Sequence, residues 1–162
     1  VSDKMGKLDE LDFLILDHYQ KDGKCSYSKV ARLLNVSEGT IRQRTKKMRS
    51  NGVFDFMIQI NPIKVGLAVK AVIGLKVNLG NHDEIGTWLA SFQEIVSVTA
   101  VSGYHDFIIQ AYFNHNESLV HFVNYELSKS ADIYTLDVSV QLKEYKNSFS
   151  YLLSNKSDKS II

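Results

Sequence analysis

Tyr27-Ser-Lys-Val-Ala-Arg-Leu-Leu-Asn-Val-Ser-Glu-Gly-Thr-Ile-Arg-Gln-Arg-Thr-Lys-Lys-Met48 reads as a helix, a tight turn and a second helix with a basic outer face. Two helices that cross closely need a small residue at the contact and a residue tolerant of the left-handed backbone region in the turn. They also need apolar residues on the inner side of the second helix. Ala31, Asn35 and the set Val36, Ile41, Met48 meet those needs, with Asn35 standing where glycine is usual. Ser37 is placed to cap the second helix by accepting from the backbone N–H of Gly39 or Thr40. The inner face then runs Ile41, Thr45, Met48, leaving Glu38, Gly39, Arg42, Gln43, Lys46, Lys47 and Arg49 outward or sideways. Small or polar residues followed by Arg and Lys suit an approach to base edges with phosphate contacts behind, so the pattern points to duplex DNA. A run with five Lys/Arg is often only a solvated helix face, but the preceding helix and turn at this spacing favour DNA.

With 162 residues and 44% hydrophobic content, the chain has the composition of a soluble globular protein with one ordinary core or two small ones. No apolar run reaches the ~18 residues of a membrane span and no charged-then-apolar leader opens the sequence, so a cytoplasmic protein is expected. The single Cys25 forms no internal disulfide and fits a reducing compartment. The net charge of +1 conceals an asymmetry: residues 1–54 carry 11 Lys/Arg against 7 Asp/Glu, whereas residues 55–162 carry 8 against 11. The basic half suits nucleic acid, and the acidic half suits protein contacts or a small ligand.

Ahead of the motif, Leu8 to Tyr19 has the apolar period of a helix ending near Asp22-Gly23, the third helix that such a small domain needs. Asn51-Gly52 ends the second helix of the motif, Val53 to Ile60 reads as an extended linker, and Asn61-Pro62 breaks it. From Leu67 the periodicity changes. Strands are expected over 68–79, 95–101, 106–113 and 133–142, and helices over 83–92 and 117–128, with a turn at Ser102-Gly103-Tyr104-His105. The order βαββαβ is the split unit of a ferredoxin-like sandwich, giving an α+β protein. Its domains are expected at 1–53 (helix-turn-helix), 54–66 (linker strand or hinge), 67–150 (βαββαβ) and 151–162 (flexible tail). One sheet face is covered by helices; the other still carries apolar residues, so a partner subunit is expected there.

These stretches resemble the feast/famine, leucine-responsive and asparagine-synthetase regulators, the Lrp/AsnC family. The matching residues are Leu8-Asp9-Glu10-Leu11-Asp12 with Ile15-Leu16, Val30 to Ser37, Thr40-Ile41 with Arg44, Met48 and Gly52-Val53, Ile60-Asn61-Pro62 with Gly66, and Gly103-Tyr104-His105-Asp106. The pieces fall in the family's order and spacing from Leu8 to about Lys146. The resemblance implies a transcription factor with an N-terminal winged-helix-like helix-turn-helix domain and a C-terminal RAM-type ferredoxin-like domain. It also implies a homodimer, with further assembly to a tetramer or octamer, and an amino acid or related metabolite bound between C-terminal domains. No other cofactor is expected.

Carried over by position, Ser37, Glu38, Gly39, Thr40, Arg42, Gln43, Arg44, Lys46 and Lys47 form the DNA-binding set, with Ser37 capping the helix against a phosphate. Arg42 and Gln43 suit guanine and adenine edges; Lys46, Lys47 and Arg49 suit phosphates. Arg44 either contacts phosphate or braces the domain. Two such helices in a dimer would enter successive major grooves roughly 34 Å apart on a pseudo-palindromic site.

The effector set is Gly103, Tyr104, His105, Asp106 and Ser139, with Gly103 allowing close backbone approach and Asp106 accepting from an ammonium. Read alone, Gly-x-x-Asp is more readily a hairpin turn. Where the family commonly places hydroxyl residues in the last strand, this chain has Leu136, Asp137 and Val138 and keeps Ser139, which implies a different or more apolar ligand, or none.

Catalysis finds no support: there is no His-x-x-x-His spacing, no Gly-rich phosphate loop after a strand and no nucleophile elbow, and the histidines read as solvated. An RNA-binding sheet is disfavoured, because Asp106 to Phe113 lacks a basic-Gly-aromatic pattern and its half of the chain is acidic. The intact Arg/Lys face argues against a sensing module that has lost DNA binding.

Overall fold

A computed structural model describes residues 7–78, 80–148 and 151–152. It divides into two compact units, the first reaching Ile58 and taking in the chain end from Ser148, the second spanning Gln59–Asn147.

The first unit contains three helices, α1 (Glu10–Lys21), α2 (Tyr27–Leu34) and α3 (Glu38–Ser50). Helix α1 starts at a reciprocal cap: Asp9 accepts from the Asp12 N–H at 3.0 Å and Asp12 accepts from the Asp9 N–H at 3.1 Å. Asn35 takes the left-handed conformation (φ 53°) that ends α2, with the Val36 N–H donating to Ala31 O at 3.0 Å. Gly52 (φ 69°) ends α3 in the same way, with Val53 N–H on Met48 O at 3.0 Å. Ile15, Tyr19, Val30, Ala31, Ile41 and Met48 are buried together, with Phe54 and Val53 packed on them. Buried Thr45 is satisfied by the Tyr19 hydroxyl at 3.3 Å. Among the described residues, no strand follows α3 in this unit.

The linker was expected as a strand or a hinge. Residues 54–61 form no strand; Phe54 stacks on Tyr19 and Phe56 meets both rings edge-to-face, which extends the first unit past position 53. A strand needs a hydrogen-bonding neighbour, and among the described residues this stretch has none. Pro62–Val65 is a 3-10 turn capped by the Asn61 side chain. The expected tail lies largely outside the described residues, but the Tyr151 and Leu152 N–H groups donate to Gln20 Oε1 at 3.2 and 3.5 Å.

The second unit contains β1 (Val69–Val77), α4 (His82–Ala90), β2 (Ile95–Ala100), β3 (Phe107–Phe113), α5 (Asn116–His121) and β4 (Ile133–Val140). The strands lie in the order β2-β3-β1-β4, all antiparallel, as the βαββαβ reading requires. Helix α5 is shorter than expected, because the run continues as a π-turn over Phe122–Glu126 and a 3-10 turn to Lys129. Ala71, Ile73, Leu75 and Val77 of β1 and Phe107, Ile109, Ala111 and Phe113 of β3 point to the helix-covered side, against Ile85, Leu89, Leu119, Phe122 and Leu127. Among the described residues no helix is long and apolar enough to cross a membrane.

Candidate nucleic-acid interface

Helix α3 is positioned by its buried side. Ile41, Thr45 and Met48 are 0%, 0% and 2% exposed, which turns residues 42, 43, 46 and 47 to solvent. Ser37 caps it as the sequence suggests, accepting from the Thr40 N–H at 3.1 Å; its hydroxyl also meets the Thr40 hydroxyl at 2.8 Å. Exposed Gly39 has no large neighbour: a Cβ there would come no closer than 3.7 Å to Ser37 Oγ, so the helix start is open to a close-lying surface.

The cations of α3 are not equivalent. Arg42 donates to Glu38 at 2.7 Å and lies 5.5 Å over the Tyr27 ring. Arg49, expected on phosphate, is instead held by Asp55 at 2.9 Å through Nε and lies over Phe56. Arg44 takes the brace role: its guanidinium donates to both Asp9 carboxylate oxygens at 2.6 Å and to Asp12 at 3.0 Å, tying α3 to the cap of α1. Among the described residues Lys46 and Lys47 make no ion pair, so they are the charges free for phosphate. Gln43, on the same stripe, is exposed and makes no side-chain hydrogen bond among the described residues.

The brace has a pH signature. Hydrogen bonding from Arg44, and next from the Asp12 N–H, holds the Asp9 carboxyl below its ordinary value of 3.8. A carboxylate depressed in the folded state contributes stability above that ordinary value and loses it as pH falls through the folded one. Arg44→Ala is therefore expected to lower the melting temperature of the helical unit at neutral pH, modestly given the exposure of the pair. The gap to wild type should close in strong acid. Paired melts at the two pH values check this; a gap that persists in acid removes the ion pair as its cause.

In the second unit the turn residues fall on the sheet face away from the helices. Register places Lys70, Val72, Gly74 and Lys76 of β1 beside Ile108, Gln110 and Tyr112 of β3, and beside Thr135, Asp137 and Ser139 of β4, on that face. Leu136, Val138 and Val140 belong to the opposite face, which leaves Thr135, Asp137 and Ser139 as the last strand's residues on this one. Gly103 (φ 143°) opens the turn and Tyr104 is exposed, with the Lys76 ammonium 5.2 Å over its ring.

Asp106 is not free. Its N–H donates to Leu75 O at 2.8 Å and its carboxylate accepts from the Val77 N–H at 2.9 Å, extending the β1–β3 ladder. His105, read from sequence as solvated, folds over β1 and meets Asp137 at 2.7 Å. Only glycine at 74 permits this, because a Cβ there would lie 2.5 Å from His105 ring atoms. Gly74→Ala should therefore eject the ring, so that adding His105→Ala to it costs nothing more. A coupling of roughly 0.5–1 kcal/mol between the two substitutions is expected in melts, and strict additivity would contradict the contact.

A helix-turn-helix head with an outward basic helix, joined to a βαββαβ unit with an open sheet face, defines a DNA-binding regulator built from a reader and a sensor. The first part matches the winged helix-turn-helix DNA-binding model over residues 8–54, and the second the Lrp/AsnC ligand binding domain model over residues 70–151. An HTH-type transcriptional regulator of Pyrococcus furiosus is 37% identical over 134 residues, 82% of this chain and 90% of that protein. The regulator FL11 of the same organism is 32% identical over 120 residues, 74% of this chain and 80% of that one. Two solved structures share the fold. The Neisseria meningitidis regulator crystallised with L-Met has a TM-score of 0.84 and 24% identity, covering 92% of this chain and 99% of that one. AsnC of E. coli has a TM-score of 0.82 and 21% identity, covering 88% and 97%. The chain belongs to the Lrp/AsnC family of transcriptional regulators, which are DNA-binding proteins and not enzymes.

Proposed function

We propose that the chain acts in the cytoplasm as a homodimer on pseudo-palindromic operators. Thr40, Arg42 and Gln43 face the bases, Lys46 and Lys47 the phosphates, and Ser37, Glu38 and Gly39 the entry of the helix into the groove. The observation that carries this reading is the solvent-facing row of Arg42, Gln43, Lys46 and Lys47, set opposite the buried Ile41, Thr45 and Met48. Arg44 acts by holding α3 on α1.

A second copy covers the open sheet face, where Val72, Ile108 and Tyr112 are half-exposed, and the dimers associate further into tetramers or octamers. An amino acid or related metabolite, with no other cofactor, binds between copies near Gly103, Tyr104, His105, Asp106 and Ser139. The L-Met complex of the Neisseria regulator supports that class of ligand. Because Asp106 already accepts from Val77, the polar groups that a ligand on this face can meet include the hydroxyls of Thr135 and Ser139, the Gln110 amide and the His105–Asp137 pair. Such a ligand regulates only by favouring one assembly over another.

Light scattering and melting with and without a panel of amino acids test this. A dimer or larger particle, with a shift for at least one amino acid that is lost in Ser139→Ala, is expected. A monomer indifferent to every amino acid would contradict it.

A further inference from the structure

Arg42 is held on two sides before any DNA arrives. Its Nη2 donates to Glu38 Oε1 at 2.7 Å, one turn back on α3. Its guanidinium carbon stands 5.5 Å from the centre of the Tyr27 ring. Tyr27 opens α2 and is half-buried against the cluster that contains Ile15, Val30 and Ile41, so the ring is a platform fixed by the core.

Two consequences follow from chemistry alone. An arginine confined by an ion pair and a ring has already lost rotamer freedom that a loose side chain gives up on binding. The fork keeps further N–H donors for a planar pair of acceptors. Charge gives the second consequence. Beside the Glu38 carboxylate the Arg42 charge is locally neutralised, so phosphate attracts this pair weakly, while a guanine edge with its two acceptors still fits the fork. Lys46 and Lys47, without carboxylate partners among the described residues, have the opposite character.

We propose that Tyr27 and Glu38 are positioning residues that set Arg42 for base readout and keep it off the phosphate backbone. Affinity then resides in the lysines and guanine preference in the Tyr27–Arg42–Glu38 group. The proposal rests on the reading that α3 enters duplex DNA, and it adds Tyr27 of α2 and a positioning role for Glu38.

The test uses the full chain, a duplex library with a randomised core, and the salt dependence of binding. Wild type should select guanine at one position in each half-site. Tyr27→Phe, which keeps the ring, should preserve that preference; Tyr27→Leu and Glu38→Gln should each lower it about tenfold. Glu38→Gln should also tighten binding to unselected duplex and steepen the salt slope by about 0.9, because the released arginine finds a phosphate. Glu38 is exposed, so this variant keeps the test sound even if Tyr27→Leu loosens the fold. Wild-type guanine preference in both Tyr27→Leu and Glu38→Gln overturns the proposal while leaving DNA binding intact. A wild-type chain without salt-dependent duplex binding would overturn the underlying reading as well.

Discussion

Alanine at both Lys46 and Lys47 lowers affinity for every duplex, whatever its sequence, by on the order of thirtyfold near 0.15 M salt. The magnitude follows from counterion release. Each phosphate contact contributes about 0.9 to the slope of log affinity against log salt, so losing two contacts flattens the slope by about 1.8. The residues are chosen by elimination within α3: Arg42 is paired with Glu38, Arg44 with Asp9 and Asp12, and Arg49 with Asp55. Because phosphates carry no sequence information, base preference should be unchanged. Titrations at several salt concentrations check both features. An unaltered slope would place the phosphate contacts elsewhere on the molecule.

Ile41→Ala acts on the other side of the same helix and should be the most damaging single substitution for DNA binding. Ile41 is 0% exposed at the centre of the cluster that joins α1, α2 and α3. Emptying such a site costs about 2–5 kcal/mol. The first unit, residues up to Ile58 with the chain end from Ser148, is small, and cores of that size rarely supply more than about 3–5 kcal/mol. The helical head should therefore melt at or near ambient temperature. The sheet unit keeps its own transition, since its core of Ile73, Leu75, Leu89, Ile109 and Leu127 is a separate cluster. Circular dichroism melts and a duplex-binding assay would show one lost transition and lost binding; a head that stays folded and binds would contradict the packing described.

Both units were legible because each is written in one dominant period. The helical spacing of Ile41, Thr45 and Met48 and the αL-tolerant Asn35 define the motif before any coordinates, and the βαββαβ order follows from the strand and helix periods after Leu67. What escaped was pairing at long range. Nothing local shows that Arg44 reaches back to Asp9, or that Asp55 withdraws Arg49 from the outer face.

In the last strand, alternation sends Leu136 and Asp137 to opposite faces, which a count of neighbouring residues does not show. The signal for His105 was present in the sequence as Gly74, a glycine inside a strand. Such a residue marks a close approach by another group, but only the fold shows that the group is an imidazole from a turn. The linker stretch 54–61 alternates partly, as an extended linker does, and among the described residues its backbone has no strand partner.

Guanine methylation interference on the duplex recovered from the randomised library tests the central claim most directly, since it reports which groove α3 occupies and how often. If the outward face of α3 is read twice in the major groove, N7 methylation should block binding in two clusters about one helical turn apart. Binding unaffected by N7 methylation, or blocked at a single cluster, would contradict it.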